Sequence, residues 1–290
     1  MSASYSAAMT GPSRFLIEPI LRAVLHEDLG RRGDVTSEAV IPADARMRGQ
    51  IAARKPGTLA GIEAARLAFE LVDPSISVEF VSADGASFEP GDAVLRMEGP
   101  ARSILTAERV ALNLLCHLSG IATATADLVT VAKAHGKADI VCTRKTTPGL
   151  RALEKHAVKA GGGGNHRFGL DDAILIKDNH IAVAGSVSEA MKRAKVYAGH
   201  LLMIEIEVDT LEQLEEAMAH KPGAVLLDNM SPETLRDAVR IVDGRAITEA
   251  SGGMTRETVG PVSAAGVDLI SVGWLTHSAP IVDLGLDEIG

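Results

Sequence analysis

Residues 138–180 read ADIVCTRKTTPGLRALEKHAVKAGGGGNHRFGLDDAILIKDNH, and their pattern decides the fold class. Two short apolar runs, 138–141 and 173–176, have the length and turn-bounded character of buried strands. Between them lies a helical periodicity over about 149–160, closed by the glycine run Gly161–Gly164. A strand, a crossover helix and a second strand imply parallel pairing with right-handed connections. The same alternation continues downstream. Strands are expected near 138–143, 173–177, 202–208, 224–228, 246–250 and 268–272, with helices near 149–160, 187–198, 210–219, 231–241 and 255–264. Each strand ends in polar residues, so functional side chains come from nearly every strand. That favours a barrel over an open sheet with one crevice. Six clear strands are too few for a complete eight-stranded barrel, so the barrel is expected to be incomplete or closed by other parts.

Upstream, residues 14–29 carry one apolar helical face, and Gly30 and Gly33 then mark a turn in which Asp34, Thr36 and Ser37 bond locally. Strands are expected at 47–54, 77–81 and 93–97, with a helix at 62–71, which makes the first hundred residues an α+β layer. Residues 106–118 form the next expected helix. Thr106 is a candidate cap, and Arg109 and Asn113 share a polar stripe. Ser119-Gly120 reads as a break before a further helix over 123–135. A biotinyl or lipoyl swinging-arm reading of 85–99 fails, because Lys55 precedes Pro56-Gly57 and does not sit at a symmetric hairpin tip.

Composition narrows the function classes. The chain is 46% hydrophobic and 3% aromatic, with a formal net charge of −9, so it lacks the basic stripes and stacking platforms of a nucleic-acid surface. Its two cysteines, Cys116 and Cys142, cannot make a disulfide framework or a cysteine metal site, which fits a reducing cytoplasm. MSASYSAAMTGPS lacks the basic start and apolar block of a signal peptide, and no apolar run reaches the ~20 residues of a membrane span.

In so acidic a chain, the cations Arg144, Lys145, His166, Arg167, Lys177 and His180 at strand ends and a glycine run need a local cause. A single charge of this kind is ordinarily a solvated surface residue. Their joint position at the carboxyl ends of parallel strands points instead to a small, multiply charged anion. Ser251-Gly252-Gly253 and Val272-Gly273 follow the last two strands, where glycines and a helix start can cradle a phosphate. Glu205 and Glu207 lie two apart and face one side, and Asp228 ends the neighbouring strand. Such carboxylates can hold Mg²⁺, directly or through water, bind sugar hydroxyls, or pair with the lysines. No His or Cys grouping suggests zinc.

These motifs resemble the quinolinate phosphoribosyltransferase family. The likeness runs through EDLGRRGDVTSEAVIP, TAERVALNLLCHLSGIAT, the 143–180 block, IEIEV, LLDNMSP, EASGGM and ISVGWLTHS, in that order and across nearly the whole chain. It implies an N-terminal α/β sandwich and an incomplete, seven-stranded α/β barrel of the type II phosphoribosyltransferase kind. The implied boundaries are a disordered tail at 1–13, a sandwich at 14–117 with 275–290 packing back, and a barrel at 118–274. It also implies a cytoplasmic homodimer with shared active sites, converting quinolinate and phosphoribosyl pyrophosphate into nicotinate mononucleotide, pyrophosphate and CO₂ with Mg²⁺, in de novo NAD biosynthesis. By the same resemblance Thr143, Arg144, His166, Arg167 and Lys177 form the quinolinate carboxylate site. Arg109 reaches into the partner's site, and Lys145 meets phosphoribosyl pyrophosphate. Glu207 and Asp228, with Glu205 near them, stand by ribose and metal, while Ser251, Gly252, Gly253, Val272, Gly273 and Trp274 form the 5′-phosphate loops. Two residues depart from the family pattern: His156 stands where an aromatic is more common, and Trp274 is bulkier than expected after Gly273.

Two rival readings compete with this one. A paralogous phosphoribosyltransferase would use another acceptor, which the intact TRK, NHR and KDNH motifs disfavour. A non-catalytic phosphate-binding barrel would have no need of the cation set.

Overall fold

The computed structural model describes residues 11–289, so most of the tail expected at 1–13 lies outside the described residues. In chain order the strands are β1 (Arg46–Ala53), β2 (Gly57–Thr58), β3 (Ser77–Phe80), β4 (Ser87–Phe88), β5 (Ala93–Pro100), β6 (Asp139–Val141), β7 (Ile174–Ile176), β8 (Ile204–Val208), β9 (Ala224–Asp228), β10 (Ile247–Ser251), β11 (Leu269–Ser271) and β12 (Leu284–Glu288). The chain divides into two compact units. Of the described residues, one holds 11–126, 146–162 and 276–289; the other holds 127–145 and 163–275. The division therefore differs from the boundary expected at 117, because 118–126 and the segment 146–162 group with the first unit.

In the first unit an antiparallel sheet runs in the order β12-β1-β5-β3. Alternation along β5 puts Leu95 and Met97 inward, and the helix Ile62–Val72 turns Ala64, Ala65, Leu67, Ala68 and Phe69 into the same kind of apolar core. The chain end returns to this unit, with Ile51 opposite Leu286. Asp34 does more than close a turn: its carboxylate accepts from the Thr36 and Ser37 N–H groups and caps a helix at Val35–Val40.

A larger departure from the sequence reading is the helix Ala101–His135, which runs unbroken for 35 residues through Ser119-Gly120. Ser119 Oγ accepts from Ala60 N–H at 3.1 Å, and a Cβ on Gly120 would lie 3.0 Å from Ile281 Cα. Both small residues serve close packing, which overrides their helix-breaking propensity. Thr106 is thus interior to the helix, where its hydroxyl donates to Asp34 at 3.2 Å. By length and composition alone this helix could cross a membrane, contrary to the sequence expectation. Ile104, Ala107, Ala111, Leu115, Leu118 and Ile121 on it are nevertheless fully buried in the protein.

The second unit is an incomplete α/β barrel whose parallel sheet runs β6-β11-β10-β9-β8-β7. Six strands stand where the resemblance implies seven. The further position beside β6 is taken by one residue, Gly164, whose N–H donates to Ile140 O at 2.7 Å and whose carbonyl accepts from Cys142 N–H. The glycine run is therefore a short piece of strand-like pairing as well as a turn. It fixes the two residues after it, Asn165 and His166, at the carboxyl end of β6.

Candidate active site

The carboxyl ends of the barrel strands enclose a cavity of about 300 Å³. From the segment after β6 come Thr143, Arg144 and Lys145, from the segment after Gly164 come His166 and Arg167, and directly after β7 comes Lys177. All six cavity residues named here were read from sequence alone. Thr143 Oγ1 accepts from Lys145 N–H at 3.0 Å, a turn that sets successive side chains after β6 on different bearings. The Arg144 Nε–H is buried and has no hydrogen-bond partner. Arg167 donates from Nη1 to Ala173 O at 2.9 Å and so closes its own loop. Burial, and then the like charge of Arg144, hold the Arg167 guanidinium below its ordinary value. Two guanidinium groups near one another in a partly buried cavity are the mark of a site prepared for anions.

Lys177 follows its strand pointing at Glu207, and the two form an ion pair. His180 takes no part in the cavity. Its Nδ1 accepts from Lys177 N–H at 2.9 Å, capping the helix Asp178–Ala184, an element the sequence reading did not expect. His166 has both ring nitrogens engaged: Nδ1 accepts from Arg167 N–H at 2.8 Å, and Nε2 meets Glu205 Oε2 at 3.0 Å. With Nδ1 an acceptor, the proton sits on Nε2 and donates to the carboxylate of Glu205.

Glu249, on β10, is a residue that sequence reasoning did not assign to the site. It lines the cavity, is 2% exposed, and lies 3.6 Å from His166 Nε2. Burial and then the Glu205 carboxylate push its carboxyl up to about 7, against the pull of His166. The signal available was a carboxylate in the middle of a strand whose centre is buried, which is costly unless partnered or neutral.

The remaining expected residues fall into separate places. Gly252 and Gly253 have φ of +106° and +55° and line a second cavity of about 320 Å³ near the start of the helix Arg256–Ala264. A side chain at Gly252 would collide with the Asn229 amide, so glycine is required there twice over. Ser251 lines the first cavity. A Cβ at Gly273 would stand 2.9 Å from Lys145 Cδ, so that glycine gives the Lys145 stem its space. Val272 is buried, its N–H bound to Val141 O at 2.9 Å. Trp274 turns its Nε1–H onto Met254 O at 2.8 Å, which accounts for its bulk. Asp228 accepts from its neighbour Asn229 at 2.6 Å. His156, the other departure, is buried against Asp84 at 2.7 Å. Arg109 belongs to the first unit; its side chain is 64% exposed and its nearest acid is Glu108 at 3.9 Å.

Comparison with known proteins gives this arrangement its relatives. The N-terminal domain model of quinolinate phosphoribosyl transferase matches residues 34–119, and the C-terminal domain model matches 121–287. The chain belongs to the quinolinate phosphoribosyltransferase family. Within that family it is 45% identical over 272 residues to a nicotinate-nucleotide pyrophosphorylase [carboxylating] of Mycobacterium leprae, spanning 92% of this chain and 95% of the relative. It is 42% identical over 271 residues to a probable nicotinate-nucleotide pyrophosphorylase [carboxylating] of Bacillus subtilis, spanning 93% of each. Among solved structures, NadC from Streptococcus pyogenes superposes with a TM-score of 0.92 at 40% identity, covering 97% of this chain and all of that one. The fold of a quinolinate phosphoribosyltransferase is thus the fold described above.

Proposed function

We propose that this protein transfers the phosphoribosyl group of phosphoribosyl pyrophosphate to the ring nitrogen of quinolinate, releasing pyrophosphate and CO₂ and yielding nicotinate mononucleotide for de novo NAD biosynthesis. The observation that carries this is the cavity in which Arg144, His166, Arg167 and Lys177 meet, with a buried guanidinium N–H on Arg144 that has no partner. A dicarboxylate supplies the missing acceptors. Arg144 and Arg167 offer planar, fork-shaped donors for carboxylates, and Lys177 and Thr143 complete the grip.

Lys145 meets the phosphate chain and steadies the leaving pyrophosphate. The loops Ser251 to Gly253 and Val272 to Trp274 take the 5′-phosphate with a helix start and with backbone N–H groups other than that of Val272, which is spent on Val141. The half-buried carboxylates of Glu207 and Asp228 offer the hard oxygen donors that Mg²⁺ prefers, and would hold it directly or through water. Bound there, Mg²⁺ would neutralise charge on the pyrophosphate. The same carboxylates, with Glu205 behind them, favour positive charge developing on the ribose as pyrophosphate leaves. Once the pyridine nitrogen is alkylated, the cationic ring accepts the electron pair left by the departing 2-carboxylate. The chain contributes position and field, with no covalent nucleophile. The working form is a cytoplasmic homodimer in which Arg109 of one protomer completes the site of the other.

Purified protein mixed with quinolinate, phosphoribosyl pyrophosphate and Mg²⁺ is expected to form nicotinate mononucleotide with one CO₂ per pyrophosphate. Product from nicotinate or another acceptor, with none from quinolinate, would sink the reading.

A further inference from the structure

Loss of CO₂ from the ring leaves an electron pair on C2, and a proton must take the place of the carboxylate. The source of that proton can be sought among the groups lining the cavity, on the assumption that the decarboxylating reaction proposed above is the one performed. Arg144 and Arg167 do not release protons in proteins. Lys177 divides its N–H donors between its ion pair with Glu207 and the carboxylate grip proposed above, which keeps it charged. Lys145 is exposed to solvent and its stem passes Gly273, on the side assigned to phosphate. His166 spends its single Nε2 proton on Glu205 and uses Nδ1 as an acceptor for Arg167 N–H.

One acid is left. Glu249 lines the cavity, is almost wholly buried, and its Oε1 has no hydrogen-bond partner. We propose that Glu249, held as a neutral carboxylic acid at the cavity wall, donates its proton to C2 of the pyridine ring as CO₂ departs. In this step the C2–carboxylate bond breaks, its electron pair stays on C2, and CO₂ leaves. The Glu249 O–H bond breaks, C2–H forms, and Glu249 is left as a carboxylate that water reprotonates after product release.

The surroundings fit both ends of that step. The groups facing Glu249 are Glu205 from β8, His166 from the segment after Gly164, Lys177 from directly after β7 and Ser271 from β11, while β9 presents Leu226. Burial and the charge on Glu205 keep the acid protonated up to about pH 7. The charge presented to the cations also stays constant. Before the step the cavity holds a dicarboxylate beside a neutral acid, and after it a monocarboxylate beside an ionised one. Arg144, Arg167 and Lys177 therefore face two negative charges throughout, and no counter-charge has to be found when CO₂ leaves.

The test follows one turnover of the Mg²⁺-loaded enzyme by rapid acid quench, measuring pyrophosphate, CO₂ and the undecarboxylated quinolinate mononucleotide. Glu249→Gln keeps the shape and removes the ionisable proton. It is expected to form pyrophosphate within about threefold of wild type while CO₂ release slows about 10²-fold and the mononucleotide accumulates. In unmodified enzyme, the mononucleotide is expected to build up as pH rises above about 7. Equal yields of pyrophosphate and CO₂ from the variant would overturn the proposal, as would a parallel loss of both in a folded variant. Should the variant not fold, absence of any mononucleotide from wild type across the alkaline range overturns it instead. A wild-type protein that makes no pyrophosphate from quinolinate at all points to failure of the underlying reaction and not of the donor.

Discussion

The carboxyl of Glu249 titrates near 4.5 when the chain is unfolded and about 7 when it is folded, so the native state holds a proton that the unfolded state has released across that interval. Stability linked to this residue is full below the lower value, falls as pH rises through the window, and is lost above about 7. The cost at alkaline pH is at most on the order of 3 kcal/mol. Glu249→Gln removes the titration and keeps the volume. Free of substrate, the variant is expected to melt at a higher temperature than wild type at pH 8 and at nearly the same temperature at pH 4. Calorimetry that finds one unchanged difference at both pH values would mean the carboxylate is not penalised in the folded state. The same residue marks the limit of what the sequence discloses. Arg144, Lys145, His166, Arg167 and Lys177 were legible because each follows an apolar run or a glycine run, a one-dimensional signal. Glu249 was not, because period-2 alternation tells which face a side chain takes and not which residue of a strand two places away will stand beside it. His156 and Trp274 looked out of place for the same reason, and each is explained by one distant acceptor, Asp84 and Met254.

At the scale of elements, propensity and packing disagree in the helix Ala101–His135. Ser119-Gly120 carries a strong local signal for a break, yet the helix passes through because Gly120 lets the Pro280–Ile281 backbone approach its Cα closely. Replacing a helical glycine by alanine in open solvent stabilises a helix by ~1 kcal/mol. Here the added methyl meets backbone that has no rotamer to escape into. Gly120→Ala is therefore expected to destabilise the protein by about 1–3 kcal/mol, the usual cost of overpacking. Urea denaturation measures it, and a stabilised variant would show that the helix has room and that the glycine is there for some other reason. Most other elements were legible to within a residue or two, since their apolar periodicities are long and their neighbours do not contradict them. The barrel position held by Gly164 was hidden, because a single bridging glycine leaves no periodic trace.

For the molecule as a whole, the sandwich, the barrel and the order of motifs could be read because they extend along nearly the entire chain. Assembly cannot be read that way, and Arg109 is where the proposed dimer becomes testable. Its side chain is 64% exposed, and among the described residues its ion-pair partner is Glu108 at 3.9 Å, a neighbour in sequence that gives it no functional role. If Arg109 completes the partner's cavity, Arg109→Ala and Lys145→Ala should each abolish activity alone, for different reasons. In a two-fold dimer, random exchange of the two variants makes about half of the dimers mixed. Each mixed dimer has one site with both residues intact and one with neither, so activity should return to about one quarter of wild type. Dissociating and reassociating the equimolar variants, then following nicotinate mononucleotide, reads this directly. Mixing that restores nothing, while mass analysis confirms exchanged dimers, would place the action of Arg109 within its own protomer and remove the reason for a shared site.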